Sequence, residues 1–126
     1  MSENSRKILI VDDSPTAIKM LQMTLEEEGY EIITAYDGDT GFEKALKKKP
    51  DAVILDVMMP GITGFQVCEK IKGHPETRQM PVIMLTGKDS GQDFDIAMEK
   101  KADWYIVKPY DVSHLLRVLS KLIQNK

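Results

Sequence analysis

Short apolar runs alternate with segments of helical periodicity along almost the whole chain. Five of these runs are rich in β-forming residues and are bounded by turn residues, which predicts five strands. The predicted strands cover residues 7–12, 31–36, 52–56, 81–86 and 104–108. The first, third and fourth are apolar at nearly every position, which is typical of strands that are covered on both faces.

A helical pattern follows each predicted strand. Ser14 followed by Pro15 is typical of a helix start, and Gly29 is typical of a helix end. Thr63 and Asp111 are candidate N-caps of the third and fifth helices. Apolar faces mark the second to fifth helices: Phe42, Ala45 and Leu46; Phe65, Cys68 and Ile71; Phe94, Ala97 and Met98; Leu115, Leu116, Leu119, Leu122 and Ile123.

Five βα units in series predict an α/β fold, with a parallel sheet covered by helices on both faces and right-handed crossovers. A length of 126 residues suits one domain. We expect a single domain over residues 1–126, with its core at about 7–123. In such sheets, binding sites form beyond the carboxyl ends of the strands, where the strand order reverses. Residues that follow the strands are therefore candidates for a functional site.

Composition and charge disfavour several functions. The net charge is −3 and the pI about 5.4, so neither nucleic acid nor anionic lipid is an expected partner. No apolar run approaches the ~20 residues that span a bilayer, and the N-terminus lacks a signal-peptide core. The single cysteine, Cys68, and two distant histidines, His74 and His114, leave no internal disulfide or zinc-type cluster. We expect a cytoplasmic protein.

Charged and hydroxyl side chains end four of the predicted strands: Asp12 and Asp13, Asp56, Thr86, and Lys108. Each alone is more often a turn, cap or strand residue. Together, three carboxylates about 5 Å apart repel by about 3 kcal/mol per pair and need a cation. Lys108 offsets one charge, and Mg²⁺ is the expected metal, with Mn²⁺ as an alternative. The set is typical of phosphoryl transfer to a carboxylate nucleophile, and no glycine-rich nucleotide loop is present.

Four motifs, at these spacings, resemble the receiver domains of two-component response regulators, particularly the stand-alone, chemotaxis-type regulators. The motifs are ILIVDDSP, VILDVMMPGITGF, PVIMLTGK and ADWYIVKPY, and the resemblance extends from about Lys7 to Ile123. It implies a doubly wound, flavodoxin-like (βα)5 fold with a five-stranded parallel sheet in the order 2-1-3-4-5.

The resemblance also implies roles for the site residues. Asp56 would be the phosphorylated residue. Asp13, Asp56 and the Met58 carbonyl would ligate Mg²⁺ directly, and Asp12 would ligate it mainly through water. Lys108 would hold a phosphoryl oxygen, with a cis peptide bond to the following proline.

Four further positions carry expectations from the family. Thr86 would move to hydrogen-bond the phosphoryl group, and Tyr105 would swing inward with it, which would remodel the face of helix four, strand five and helix five. From the residues alone, Tyr105 would be a core aromatic. Met58 and Lys88 occupy positions associated with the dephosphorylation rate, so they are candidates for setting the lifetime of the acyl phosphate.

Two positions depart from the family pattern. Lys101 replaces a glycine, which predicts a residue with positive φ. Trp104 stands where the family often has a small or polar residue, and packing on helix four or five is slightly favoured over an anchor for a partner. Cys68 is expected to be a buried thiol.

The leading hypothesis is a phosphorylation-activated signalling switch and not a conventional enzyme. It would accept a phosphoryl group on Asp56 from a sensor histidine kinase or phosphotransfer protein, catalyse only its own phosphorylation and dephosphorylation, and act on a protein target. A Mg²⁺-dependent phosphatase with an aspartyl nucleophile is one alternative, although Asp12 and Asp13 are adjacent where such enzymes have a D-x-D motif. A phosphorylation-independent binding module is the other. We expect a monomer, with a phosphorylation-dependent dimer as an alternative.

Overall fold

A computed structural model of the chain describes residues 6–59, 61–87, 91–108 and 110–124, with residues 91–94 described by their backbone alone. The strands are β1 (Lys7–Val11), β2 (Glu31–Ala35), β3 (Ala52–Asp56), β4 (Val82–Thr86) and β5 (Trp104–Val107). The helices are α1 (Pro15–Glu27), α2 (Gly38–Lys48), α3 (Gly64–Gly73), α4 (Gly91–Glu99) and α5 (Val112–Gln124). The predicted alternation of strands and helices is confirmed.

All five strands are parallel and form one sheet in the order β2-β1-β3-β4-β5, which confirms the predicted fold class. The strand order reverses between β1 and β3, which are direct neighbours. Val11 lies opposite Leu55 in the register of this pair. The residues that follow, Asp12 and Asp56, therefore reach the same edge of the sheet at the switch point.

The sheet separates two layers of apolar side chains, one on each face. Residues alternate between the faces along each strand, so that Leu9 and Val11 lie in one layer and Ile8 and Ile10 in the other. Every residue of β3 and β4 is buried. This explains why both segments are continuous apolar runs without the polar–apolar alternation of a half-exposed strand.

The predicted helix ends are confirmed where the structure describes them. The Ser14 side chain accepts a hydrogen bond from the Ala17 N–H at 3.2 Å, and Gly29 follows α1 with a φ of +97°. Thr63 forms a reciprocal capping box with Gln66 at the start of α3. At the start of α5 the Asp111 carboxylate accepts the backbone N–H of Ser113 at 2.9 Å.

Three other residues can be compared with their predictions. Lys101 has a φ of +69°, as the missing glycine predicted. Cys68 is fully buried, and burial raises the pKa of its thiol to about 12. Trp104 is 44% exposed and borders an apolar groove of about 550 Å³ along α5, so its ring is only partly packed.

None of the helices in the described part of the chain combines the length and the apolar character needed to cross a bilayer.

Candidate functional site

Three carboxylates converge beyond the carboxyl ends of β1 and β3. Asp12, Asp13 and Asp56 each offer one oxygen, and these oxygens lie within 4.8 Å of one another. Asp12 and Asp56 are each only 6% exposed, whereas Asp13 is exposed. The pairing of β1 with β3 places them there, because it brings the two strand ends side by side.

Lys108 supplies the positive charge of this cluster. Its Nζ donates a hydrogen bond to Asp56 Oδ1 at 2.9 Å and lies 3.8 Å from Asp12 Oδ2. Lys108 follows β5, and its backbone N–H donates to the Thr86 carbonyl at 2.6 Å. Because β4 lies between β5 and β3, only a long side chain can reach the carboxylates from this position.

Burial and mutual charge perturb the titration of the two paired groups. Burial raises the pKa of Asp56; the hydrogen bond from Lys108 lowers it, and the charges of Asp12 and Asp13 raise it further. The net result is a pKa above the ordinary aspartate value. Burial alone would lower the pKa of Lys108, but its hydrogen bond to Asp56 and the nearby carboxylate charges outweigh burial and raise it.

Backbone hydrogen bonds hold the first of the carboxylates in place. Asp12 Oδ1 accepts the Ser14 N–H at 2.9 Å, and the Asp12 N–H donates to the Ala35 carbonyl at 3.1 Å. Sequence reasoning treated Ser14 only as a helix cap and missed this support. Aspartate side chains often accept a hydrogen bond from the backbone N–H two residues later, so the sequence did contain a signal for the contact between Asp12 and Ser14.

Thr86 and Tyr105 lie on the same face of the sheet. Thr86 ends β4 and is 1% exposed. In the β4–β5 register Tyr105 is opposite Met84, two residues before Thr86, and residues two apart on a strand share a face. The half-buried Tyr105 ring packs against the core layer on that face. The two side chains therefore share one surface of the sheet.

Of the remaining predicted site positions, Met58 lies within the described residues and the others lie outside them. The Met58 side chain is 69% exposed, two residues beyond Asp56, whereas its neighbour Met59 is buried. Lys88 and Pro109, with the predicted cis peptide bond, lie outside the described residues.

The donor set suits a hard divalent cation. Three ionised carboxylates and one ammonium leave two negative charges in a largely buried site. Each of the three aspartates offers a carboxylate oxygen to a metal ion, and oxygen atoms are the ligands that Mg²⁺ and Mn²⁺ prefer. The charge and chemistry of Asp12, Asp13 and Asp56 therefore fit the metal that the sequence predicted.

Comparison with known proteins agrees with this geometry. The family model of the response regulator receiver domain matches residues 8–120. The chain is 41% identical over 106 residues to the alkaline phosphatase synthesis transcriptional regulatory protein PhoP of Bacillus subtilis (strain 168), an alignment that covers 84% of this chain and 43% of PhoP. The chain spans less than half the length of the curated relatives that it matches.

Solved structures give the same result. A putative response regulator from Chloroflexus aurantiacus J-10-fl superposes with a TM-score of 0.92 at 32% identity, covering 96% of this chain and 99% of that one. The chemotaxis protein CheY4 of Vibrio cholerae gives a TM-score of 0.88 at 34% identity, covering 94% and 98%. The chain belongs to the response regulator receiver domain family, whose members are the phosphorylation-activated signalling switches of two-component systems.

Proposed function

We propose that Asp56 accepts a phosphoryl group from a histidine kinase or a phosphotransfer protein and that the acyl phosphate switches the protein's contact with a protein target. The observation that carries this proposal is the position of the Asp56 carboxylate. It is buried at the end of the central strand, within 2.9 Å of the Lys108 ammonium and within 4.8 Å of oxygens of Asp12 and Asp13.

The transfer step uses groups that are already in place. A carboxylate oxygen of Asp56 attacks the phosphorus of a phosphohistidine, a P–O bond forms and the P–N bond breaks. The donor imidazole leaves with the electron pair of that bond. Lys108 would then exchange its hydrogen bond with Asp56 for one with a phosphoryl oxygen. Hydrolysis reverses the modification, because water attacks the phosphorus and the carboxylate is released as inorganic phosphate departs.

Asp12, Asp13 and Asp56, with the Met58 carbonyl, would hold Mg²⁺ or, as an alternative, Mn²⁺. When bound, the cation supplies positive charge that stabilises the negative oxygens of the transferring group. The chain's own contribution is to hold three carboxylates close together despite their repulsion. The pairing of β1 with β3, the hydrogen bond from the Ser14 N–H to Asp12 and the hydrogen bond from Lys108 to Asp56 do this.

The signal would pass from Thr86 to the face formed by α4, β5 and α5. Thr86 would move towards a phosphoryl oxygen, and Tyr105, on the same side of the sheet, would turn inward into the space released. The groove along α5 is also bordered by Trp104 of β5, and it would supply apolar surface for a partner.

The lifetime of the acyl phosphate would depend on the side chains of Met58 and Lys88. The exposed Met58 side chain follows Asp56 by two residues and can restrict the approach of water. Lys88 is proposed for the same role from its sequence position alone. The protein would act in the cytoplasm as a monomer, with a phosphorylation-dependent dimer as the alternative, and its target would be a protein and not nucleic acid.

Intact-mass measurement after incubation with acetyl phosphate and Mg²⁺ tests the proposal. We expect one added phosphoryl group in the wild type and none in Asp56→Asn. Asp39→Asn is the matched control, since Asp39 is an exposed aspartate in the first turn of α2, and it should be phosphorylated like the wild type.

Two results would contradict the proposal. Absence of an adduct, with partner binding unchanged in Asp56→Asn, would indicate a phosphorylation-independent binding module. Multiple turnover of external phosphomonoesters would instead indicate a phosphatase.

A further inference from the structure

Gly64, the first residue of α3, lies directly behind the peptide group of Asp56. A β-carbon added to Gly64 would overlap the carbonyl oxygen of Asp56 and would lie 2.9 Å from its carbonyl carbon and 3.0 Å from the Val57 Cα. All three contacts are with backbone atoms, so no side-chain rotation can relieve them. A larger residue at Gly64 must therefore displace the main chain that carries Asp56.

This backbone contact distinguishes Gly64 from the other buried glycines of the described segments. A β-carbon at Gly38 would overlap Ile62 and lie 2.7 Å from Val67, and one at Gly41 would lie 2.8 Å from Val11. These are all side-chain atoms, so a methyl group at Gly38 or Gly41 would press on neighbouring side chains and not directly on the main chain. A substitution at Gly38 thus disturbs packing, whereas a substitution at Gly64 disturbs the position of the strand end.

Hydrogen bonds show how tightly the end of β3 is held at this point. The Val57 N–H donates to the Leu85 carbonyl at 2.9 Å, and the Gly64 N–H donates to the Val57 carbonyl at 3.1 Å. The Thr63 capping box fixes the start of α3 at the same place. The end of β3 is therefore held between β4 on one side and the first turn of α3 on the other.

We propose that Gly64 is a positioning residue for the acidic site. Without a side chain, it allows α3 to begin in contact with the Asp56 peptide, and this contact sets where the Asp56 carboxylate meets Lys108 and Asp12. The inference rests on the proposed function of Asp56 and names a residue that determines its geometry. Displacement of a reacting group by about 1 Å can slow a reaction about 10²-fold.

Gly64→Ala and Gly38→Ala form the matched test pair, because both add one methyl group to a buried glycine near a helix start. Calorimetry measures the dissociation constant for Mg²⁺, and intact mass measures the rate of phosphorylation by acetyl phosphate over a range of donor concentrations. Urea unfolding measures the stability of each variant.

We expect Gly64→Ala to weaken Mg²⁺ binding and to lower the limiting phosphorylation rate, each by about 10-fold or more. Gly38→Ala should lose stability but keep the wild-type Mg²⁺ dissociation constant and the wild-type limiting phosphorylation rate. A wild-type Mg²⁺ dissociation constant and phosphorylation rate in Gly64→Ala would overturn the inference. Equal losses of Mg²⁺ affinity and rate in the two variants would also overturn it, because they would trace the defect to lost stability and not to the position of Asp56.

The two measurements separate failure of the proposed function from failure of the positioning role of Gly64. Absence of phosphorylation in the wild type would refute the proposed function, while the Mg²⁺ dissociation constants would still report the positioning by Gly64. Circular dichroism checks that each variant is folded. If Gly64→Ala is not folded, both variants are made again in a Lys101→Gly background, which is expected to be more stable because it relieves the positive φ at this position.

Discussion

Neutralising Asp56 should stabilise the protein in the absence of divalent cations. Two carboxylate oxygens within 4.8 Å each repel Asp56 by about 3.5 kcal/mol at an effective dielectric constant of 20. The Lys108 ammonium at 2.9 Å attracts it by about 6 kcal/mol on the same scale. The balance is about 1 kcal/mol of repulsion, to which the cost of burying the charge is added.

Asp56→Asn removes this charge but keeps an oxygen that can accept the hydrogen bond from Lys108. We therefore expect the free energy of unfolding at pH 7 in EDTA to increase by about 1 to 2 kcal/mol. Urea titration followed by circular dichroism measures it. Asp39→Asn is the control, and it should give no increase because Asp39 is exposed and lies at a helix N-terminus, where a negative charge is favourable.

The pH dependence gives the same prediction a second test. Because the pKa of Asp56 is raised in the folded state, its contribution to stability is fully present below the unfolded-state pKa of about 3.9 and is lost as pH rises through the folded-state pKa. The advantage of Asp56→Asn should therefore grow over that range. In Mg²⁺ the wild type should regain stability, because the cation binds only the folded site. A variant less stable than the wild type at pH 7 in EDTA would refute the reasoning.

The structure makes three further predictions. Lys108→Met should tighten Mg²⁺ binding, measured by calorimetry, because it removes the ammonium that competes for the carboxylates, while slowing phosphorylation; weaker binding would contradict the assigned charge balance. Lys101→Gly should stabilise the protein by about 0.5–1 kcal/mol, because it relieves a positive φ. The control Lys47→Gly, within α2, should destabilise it by about 1 kcal/mol, because glycine is a poor helix former. Urea unfolding measures both changes. Cys68 should resist alkylation by iodoacetamide in the native state at pH 8 and react once unfolded, because its thiol is buried with a pKa of about 12; fast native labelling, read by mass, would contradict this.

The elements and the edge at which the site lies were predictable from local patterns. Apolar runs indicate strands, and the helix caps at Ser14 and Thr63 indicate where helices begin. The position of Asp12 and Asp56 at the ends of such runs was enough to place both at the carboxyl edge of a parallel sheet.

Contacts that depend on how distant segments pack were not predictable. The position of Lys108 at a strand end predicted that it offsets charge at this site, but its 2.9 Å hydrogen bond to Asp56 across β4 depends on the register of β5, which no local pattern encodes. The contact of Gly64 with the Asp56 peptide depends on the angle at which α3 leaves the loop after β3. The positive φ of Lys49 had no sequence signal, because lysine is an uncommon residue in that conformation.

Chemical mapping of the phosphorylated residue tests the central claim most directly. Borohydride reduces an aspartyl phosphate to homoserine, and peptide mass spectrometry then locates the change. After incubation with acetyl phosphate and Mg²⁺, we predict homoserine at position 56 and unmodified aspartate at Asp12 and Asp13. Homoserine at either of those two positions, or a phosphoryl group that survives on a serine, threonine or histidine, would contradict the assignment of Asp56 as the acceptor.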